Sequence, residues 1–395
     1  MPSAPIKIGY CLSLSGGLAA NGQTARLAHE IWQDRVNARG GLNGCQVQLV
    51  CVDDQSDATN VAGIYEQLVS DEKVDLLLGG YGNNSITPAM PMVMKDRRYL
   101  VGLMALGENI EFGYDQFFAM IPTGTDPNSA LTEGFFATAA QQIPRPKTVA
   151  IVAADAPFSK NPILGARANA AKNGLEVVSE TKYPLTTTDF APFLEEAAGL
   201  SPDILFYCAY LKDSIGLIRA IAASDMNPTL VGGAMIGPQS SSVQTQLGSD
   251  INGIVNYEYW LPVPAMDFPG VRELIVEYQN RAKGTSADAL GYYVAPFAYA
   301  QLQVVEQAIE NTGGVDDAAL ADYTRGATFS TVVGDVTFGR LGEWAVPRVL
   351  TVQFRGIGSN DISEFAKPEA RVVVAPANYA SGQLIAPYRT AAEAR

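Results

Sequence analysis

The sequence predicts an α/β protein of two lobes, each lobe a doubly wound parallel sheet. Three observations carry this. Apolar runs of strand length alternate with segments of helical periodicity along most of the chain. Residues 74–106 read as an apolar run, a glycine-rich turn, a helix with one apolar face and a second apolar run, a βαβ unit that implies parallel pairing. The chain has 395 residues, more than one simple core holds, so two domains are expected.

Taken in order, residues 6–14 alternate and form the first expected strand, and residues 13–22 a loop of small side chains. A helix is expected over 23–38, with Leu27, Ile31 and Val36 facing the core. It ends in the turn 37–44, where Gly40 suits a left-handed position. A strand over 47–52 leads into Asp53, Asp54 and Asp57, then a helix over 58–70. After the strand 74–78 and the turn 79–85, Ser85 is placed to cap a helix and Pro88 to sit in its first turn, with Met90, Val93 and Met94 inward. Residues 99–106 close that unit.

The same rhythm restarts at residue 148. Strands are expected over 148–153, 176–183, 203–210 and 230–233, with helices over 162–173, 189–198 and 212–224. The aromatic and proline-rich segment 257–264 reads as a crossover between lobes. Long helices follow at 268–283 and 292–312, and strands at 329–338 and 346–354.

Composition excludes several functions. The chain is 47% hydrophobic and 17% charged, which is a globular composition. With 41 acidic against 27 basic residues the net charge is −14, so no basic stripe exists to meet nucleic acid or an anionic membrane. No apolar run reaches the ~18 residues of a membrane span. The first ten residues lack the apolar centre of a signal peptide, which fits either a cytosolic protein or a mature form without its leader. Cys11, Cys45, Cys51 and Cys208 show neither disulfide-framework nor metal spacing and read as buried free thiols, although Cys11 and Cys51 lie on neighbouring expected strands.

Catalysis finds little support. The one histidine, His29, lies inside an expected helix and reads as structural, so no Ser-His-Asp or Cys-His set can be assembled; carboxylate or lysine chemistry stays open. The turn at Gly79 to Gly82 lacks the Gly-Lys-Ser/Thr ending of a phosphate loop. Asp53, Asp54 and Asp57 lack the glycine and distal glutamate of a calcium loop and read as helix-capping groups. No metal, cofactor or enzymatic activity is expected. In parallel sheets ligands sit beyond the carboxyl ends of the strands, which puts Asn83, Asn84 and Ser85 at a binding position.

The runs SGGLAANGQ, VNARGGLNG and QLVCVDDQSD, in that order, resemble the leucine/isoleucine/valine-binding proteins, the type I solute-binding proteins of bacterial ABC importers. Residues 148–154, 202–210, 293–308 and 333–338 continue the likeness, which covers nearly the whole chain except about the last 25 residues. The resemblance implies the two-lobed type I fold, with residues 1–121 and 258–341 in one lobe and 122–257 and 342–395 in the other. Three crossovers, near Ile121, Tyr257 and Leu341, form a hinge, and the ligand sits in the interlobe cleft. It also implies a periplasmic location after leader removal, a membrane permease as partner, and a monomer.

Carried over by position, the resemblance assigns ligand contacts to Asn21, to the turn Asn83, Asn84 and Ser85, and to the strand end Met104, Ala105 and Leu106. In the second lobe it assigns Phe158, Tyr210 and Met235, and Tyr292 or Tyr293 adds a further ring. The family pattern is altered at key positions. Leu106 or Gly107 stands where a threonine is usual, and residues 232–236 offer no acid for an α-ammonium, unless Glu258 or Asp267 serves. An unpaired buried ammonium costs several kcal/mol, on the order of a broken buried ion pair. The expected ligand is therefore a hydrophobic or aromatic carboxylic acid, such as a benzoate, a phenylpropanoate or a 2-keto acid. The alternatives are a branched-chain amino acid and, in another class, a ligand-sensing regulator of the same fold.

Overall fold

The computed structural model describes residues 4–394. The chain forms two compact units, one running up to Thr125 and from Asp267 to Pro347, the other from Asp126 to Met266 and from Arg348 onward.

The strands of the first unit are β1 (Ile6–Leu12), β2 (Val47–Asp53), β3 (Leu76–Leu77), β4 (Leu100–Leu103) and β5 (Phe117–Met120). β1 pairs in parallel with β2 and β3, and β4 in parallel with β5. A parallel bridge between Tyr81 and Leu103 joins the two sets, giving the order β2-β1-β3-β4-β5. β3 is shorter than its apolar run. Leu78 N–H still donates to Gly9 O, but Gly79 N–H turns to Val101 O, so the chain changes partner strand within one residue. Only glycines permit this. A Cβ on Gly79 would strike Gly102 Cα, and one on Gly80 would strike the Cys11 carbonyl.

The second unit contains β6 (Thr148–Ala154), β7 (Glu176–Tyr183), β8 (Ile204–Ala209), β9 (Leu230–Met235) and β10 (Val255–Glu258), paired in parallel in the order β7-β6-β8-β9-β10. This is the order of the first unit repeated. The expected all-parallel sheet needs one correction: two antiparallel strands extend it. The chain returns from the first unit at Arg348 and stays in the second, where the two strands are added beside β10.

Elsewhere the expected strand at 329–338 is a short hairpin of β11 (Phe329–Thr331) and β12 (Gly334–Val336), turned at Val332 and Val333, with Gly334 at φ +85° opening the second strand. The two added strands of the second unit are β13 (Leu350–Phe354) and β14 (Arg371–Ala375). The end of the chain packs on that unit. A helix at Tyr388–Glu393 follows β14, with Tyr388 N–H on Pro228 O and Arg389 N–H on Asn227 Oδ1.

Three local expectations are corrected. The first helix begins at Ala19, not at residue 23, because Gly16 already completes the turn and Ala19 and Ala20 are strong helix formers. The helix expected after residue 85 is two pieces, Asn83–Ile86 and Met90–Lys95, with Pro88 between them, since proline supplies no N–H and restricts the residue before it. Residues 257 and 258 belong to β10 and are buried, so the aromatic segment starts as strand.

The four cysteines are free. Cys51 lies opposite Tyr10 and Cys11 opposite Val52, so the two thiols point to opposite faces of the sheet. Burial pushes Cys51 and Cys208 each up to about 12 and Cys11 further still, leaving protonated, unreactive thiols.

Candidate functional site

In the first unit the residues after β1, β2, β3 and β4 are tied into one network. Asp54, 1% exposed, follows β2 and accepts from Ser13 Oγ at 2.6 Å, Ser85 Oγ at 2.8 Å and the Ser56 N–H at 2.8 Å. Asp53 accepts from the Leu14, Ser15 and Gln55 N–H groups and from Ser15 Oγ, bonds that together outweigh burial and lower its pKa. Asp57 caps the helix Ala58–Ser70 through the Thr59 N–H, so the capping reading of these aspartates holds there. Among the described residues no cluster of His, Cys, Asp and Glu could hold a metal.

Ser85 is buried inside the one-turn helix and does not cap it; the N-cap is Gly82, at φ +75°. Its hydroxyl proton goes to Asp54, so toward any further partner Ser85 is an acceptor. Asn83 is also spent inside the chain. Its Nδ2 donates to Leu106 O at 2.9 Å and to Glu108 Oε1 at 2.5 Å, and its Oδ1 accepts from the Leu106 N–H at 3.2 Å. Asn84 is half-buried, and its amide makes no hydrogen bond with the described residues. Of the three polar side chains in this turn, Asn84 alone keeps its donors available.

Met104, Ala105 and Leu106 are all buried at the end of β4. Met104 adopts φ +55°, a left-handed conformation that costs a non-glycine residue roughly 1 kcal/mol and clusters at binding sites. Asn21 lies in the first turn of the helix Ala19–Ala38, and its Nδ2 donates to Tyr81 Oη at 2.7 Å. Tyr81 meets Tyr293 edge to face, with ring centroids 6.4 Å apart and the hydroxyls 3.5 Å apart. Tyr292 is buried beside it in sequence. Asn21, Tyr81 and Tyr293 thus form one cluster, and Asn83, Leu106 and Glu108 another.

In the second unit Phe158 and Tyr210 follow β6 and β8. Tyr210 Oη accepts from the Phe158 N–H at 3.0 Å, and the rings meet edge to face at 5.9 Å and 80°. Both are half-buried, so each ring keeps an accessible part. Burial pushes Tyr210 up to about 12, partly offset by the Phe158 N–H bond. Met235 ends β9, fully buried, with its N–H and C=O bound by the Asn256 amide at 3.0 and 2.8 Å.

The residue that sequence reasoning missed is Gln239, four positions beyond Met235. It is 3% exposed, its Nε2 donates to Tyr257 O at 3.0 Å, and its Oε1 has no partner among the described residues. The Tyr257 bond fixes which end of the amide is the oxygen. A buried acceptor left empty costs about 1–3 kcal/mol, so Oε1 is placed for a donor. The signal was the small polar run Gly237 to Ser241 directly after an apolar strand.

The buried carboxylates at these strand ends are already bonded. Asp54 and Glu108 are engaged as above, Asp213 accepts from Tyr183 Oη at 2.6 Å with burial raising its pKa, and Glu258 pairs with Arg371 at 3.2 Å. Glu258 Oε1 is the oxygen engaged in that buried ion pair. Asp267 forms an exposed pair with Arg272. Asp155, after β6, is exposed.

Residues 5–353 match the sequence model of the periplasmic binding protein family. The chain belongs to that family. A leucine-, isoleucine-, valine-, threonine- and alanine-binding protein of Pseudomonas aeruginosa is 22% identical over 344 residues, 87% of this chain and 88% of that protein. A leucine-binding protein structure from Thermotoga maritima superposes with TM-score 0.76 at 17% identity, covering 90% of this chain and 96% of that one. A solute-binding protein of an ABC transporter from Rhodopseudomonas palustris, in complex with benzoate, gives TM-score 0.74 at 18% identity, covering 90% and 94%. The likeness to leucine/isoleucine/valine-binding proteins is thus met in sequence, and the type I binding-protein fold in structure. Among the described residues no helix is long and apolar enough to cross a membrane.

Proposed function

We propose that this periplasmic binding protein captures a small hydrophobic or aromatic carboxylic acid without an α-ammonium group and delivers it to the permease of an ABC importer. It works in the periplasm, binds by closing its two lobes about the three crossovers, and performs no chemistry on the ligand. The observation that carries the choice of ligand is Gln239. At the end of β9 the chain presents a neutral, buried amide oxygen, while Asp213 and Glu258 each have one carboxylate oxygen bonded within the chain. A neutral acceptor suits a hydroxyl donor better than it suits an ammonium ion, whose charge calls for a charged partner. The accessible rings of Phe158 and Tyr210 suit a flat or branched apolar body, and the Asn84 amide supplies a donor for a carboxylate. The benzoate-bound relative supports the same ligand class.

A branched-chain amino acid is the second reading, favoured by the exposed Asp155 close to Phe158 in sequence and by the name of the Pseudomonas relative. A thermal-shift screen separates the two. A ligand present at about a hundred times its dissociation constant adds about 2.7 kcal/mol of stability, a clear rise in Tm. Benzoate, 4-hydroxybenzoate, phenylpropanoates or 2-keto acids are expected to raise Tm. A rise with leucine, isoleucine or valine alone would return the protein to amino-acid binding.

A further inference from the structure

The one-turn helix Asn83–Ile86 is too short to hold its own shape, and its side chains are held from outside by two buried acids. Asp54 reaches it from the β2 end through Ser85 Oγ and at the same time holds Ser13, after β1. Glu108 reaches it from beyond β4, with Oε1 accepting from Asn83 Nδ2 and from Thr87 Oγ1, each at 2.5 Å. Asn83 in turn grips both backbone groups of Leu106. Each acid is 1% exposed. Neither needs to meet a ligand, yet between them they spend the donors of Ser13, Asn83, Ser85 and Thr87.

We infer that Asp54 and Glu108 are positioning residues for ligand capture, clamping residues 83–87 from both sides so that the Asn84 amide is the donor this turn offers. The inference rests on the reading that the ligand meets this end of the first unit's sheet. A clamp of this kind raises affinity by removing the cost of ordering the loop when the ligand arrives.

The test pairs calorimetric titration in the cold, on variants whose circular dichroism matches the native protein, with hydrogen exchange of the ligand-free protein. The probes are 4-hydroxybenzoate and leucine, so a binding signal does not depend on which ligand class is right. Glu108→Ala and Asp54→Ala are expected to weaken binding at least about tenfold. Glu108→Ala also speeds amide exchange at residues 83–87 and 104–108, and Asp54→Ala at 83–87 and 13–16, by at least about tenfold. Glu108→Gln keeps an oxygen for Asn83 and Thr87 and restores most of the affinity. Glu306→Gln is the control for a lost, partly buried and hydrogen-bonded carboxylate. It loses the charge beside Trp32 Nε1, on a helix that contributes nothing to the clamp, and lowers stability without changing affinity. Affinity within about twofold of the native protein in both alanine variants overturns the inference, as does unchanged exchange at 83–87. If 4-hydroxybenzoate fails to bind while leucine binds and the variants weaken it, the clamp stands and the choice of an acid ligand falls.

Discussion

Gln239 and Glu108 show how far a residue can depart from what its neighbours in sequence suggest. The sequence marks Asn83, Asn84 and Ser85 alike as polar groups at a strand end, but hydrogen-bond accounting separates them. Two are spent on Glu108, Leu106 and Asp54, and one is open. No pattern in the chain reveals this, because Asp54 and Glu108 reach the turn from 29 positions before Asn83 and 25 after it. Gln239 was hidden for the opposite reason. The expected contact was assigned to the apolar strand end at Met235, whose backbone is in fact closed off by Asn256, and the polar residue lies in the short turn just beyond. Gln239→Glu tests the residue directly. Placing a carboxylate there is expected to strengthen leucine binding and to weaken binding of benzoate-like acids, each at least about tenfold, since a charge pair replaces a neutral contact in one case and meets an acid in the other. Titrations that leave the preference unchanged would remove Gln239 from the site. In the same assay Phe158→Ala and Tyr210→Ala should each cost about 1–3 kcal/mol of binding, and no loss in either would show that the rings do not touch the ligand.

Elements were more legible than contacts. Alternating strand and helix, the βαβ unit at 74–106 and the turn at 37–44 were all readable, because apolar periodicity and glycine placement are local signals. What failed were boundaries set by tertiary partners. The strand at 74–78 ends early because Gly79 changes ladder, and β13 and β14 run antiparallel because the chain re-enters the second unit from elsewhere. The helix Ala19–Ala38 also carries His29, read correctly as structural. It is fully buried, packs edge to face on Tyr10 at 5.0 Å, and contacts Gln301, whose Nε2 donates to the backbone carbonyls of Gly79 and Val101. Burial pushes His29 down to about 4, against the opposing pull of the Gln301 bond. An unfolded histidine titrates near ~6.5, so above that pH neither state takes a proton and nothing is lost. As pH falls from ~6.5 toward 4 the unfolded state binds a proton that the folded state refuses, costing up to about 3 kcal/mol in all. Denaturant unfolding of His29→Phe across that window is expected to show a shallower fall in stability than the native protein. Parallel pH profiles would contradict the burial argument.

At the scale of the whole molecule the repeated strand order is the main result. Both units follow one plan, β2-β1-β3-β4-β5 in the first and β7-β6-β8-β9-β10 in the second, and they share it without a close repeat in sequence. The fold class was therefore legible from rhythm and length, while the interleaving of the two units came to the sequence reading only through the family resemblance. A binding protein of this plan is proposed to close on its ligand, and solution scattering reports that. The radius of gyration should fall on addition of a saturating ligand, and a constant value with confirmed binding would reject closure.

The choice of ligand turns on the ammonium group, and one matched pair isolates it. Leucine and 4-methyl-2-oxopentanoate share the same branched side chain and carboxylate and differ in ammonium against carbonyl. Isothermal titration of both on the native protein, at one pH and salt concentration, measures that difference alone. The keto acid is expected to bind tighter by at least about tenfold, or about 1.4 kcal/mol. Tighter binding of leucine by the same margin would contradict that choice of ligand and place an ammonium acceptor in the site.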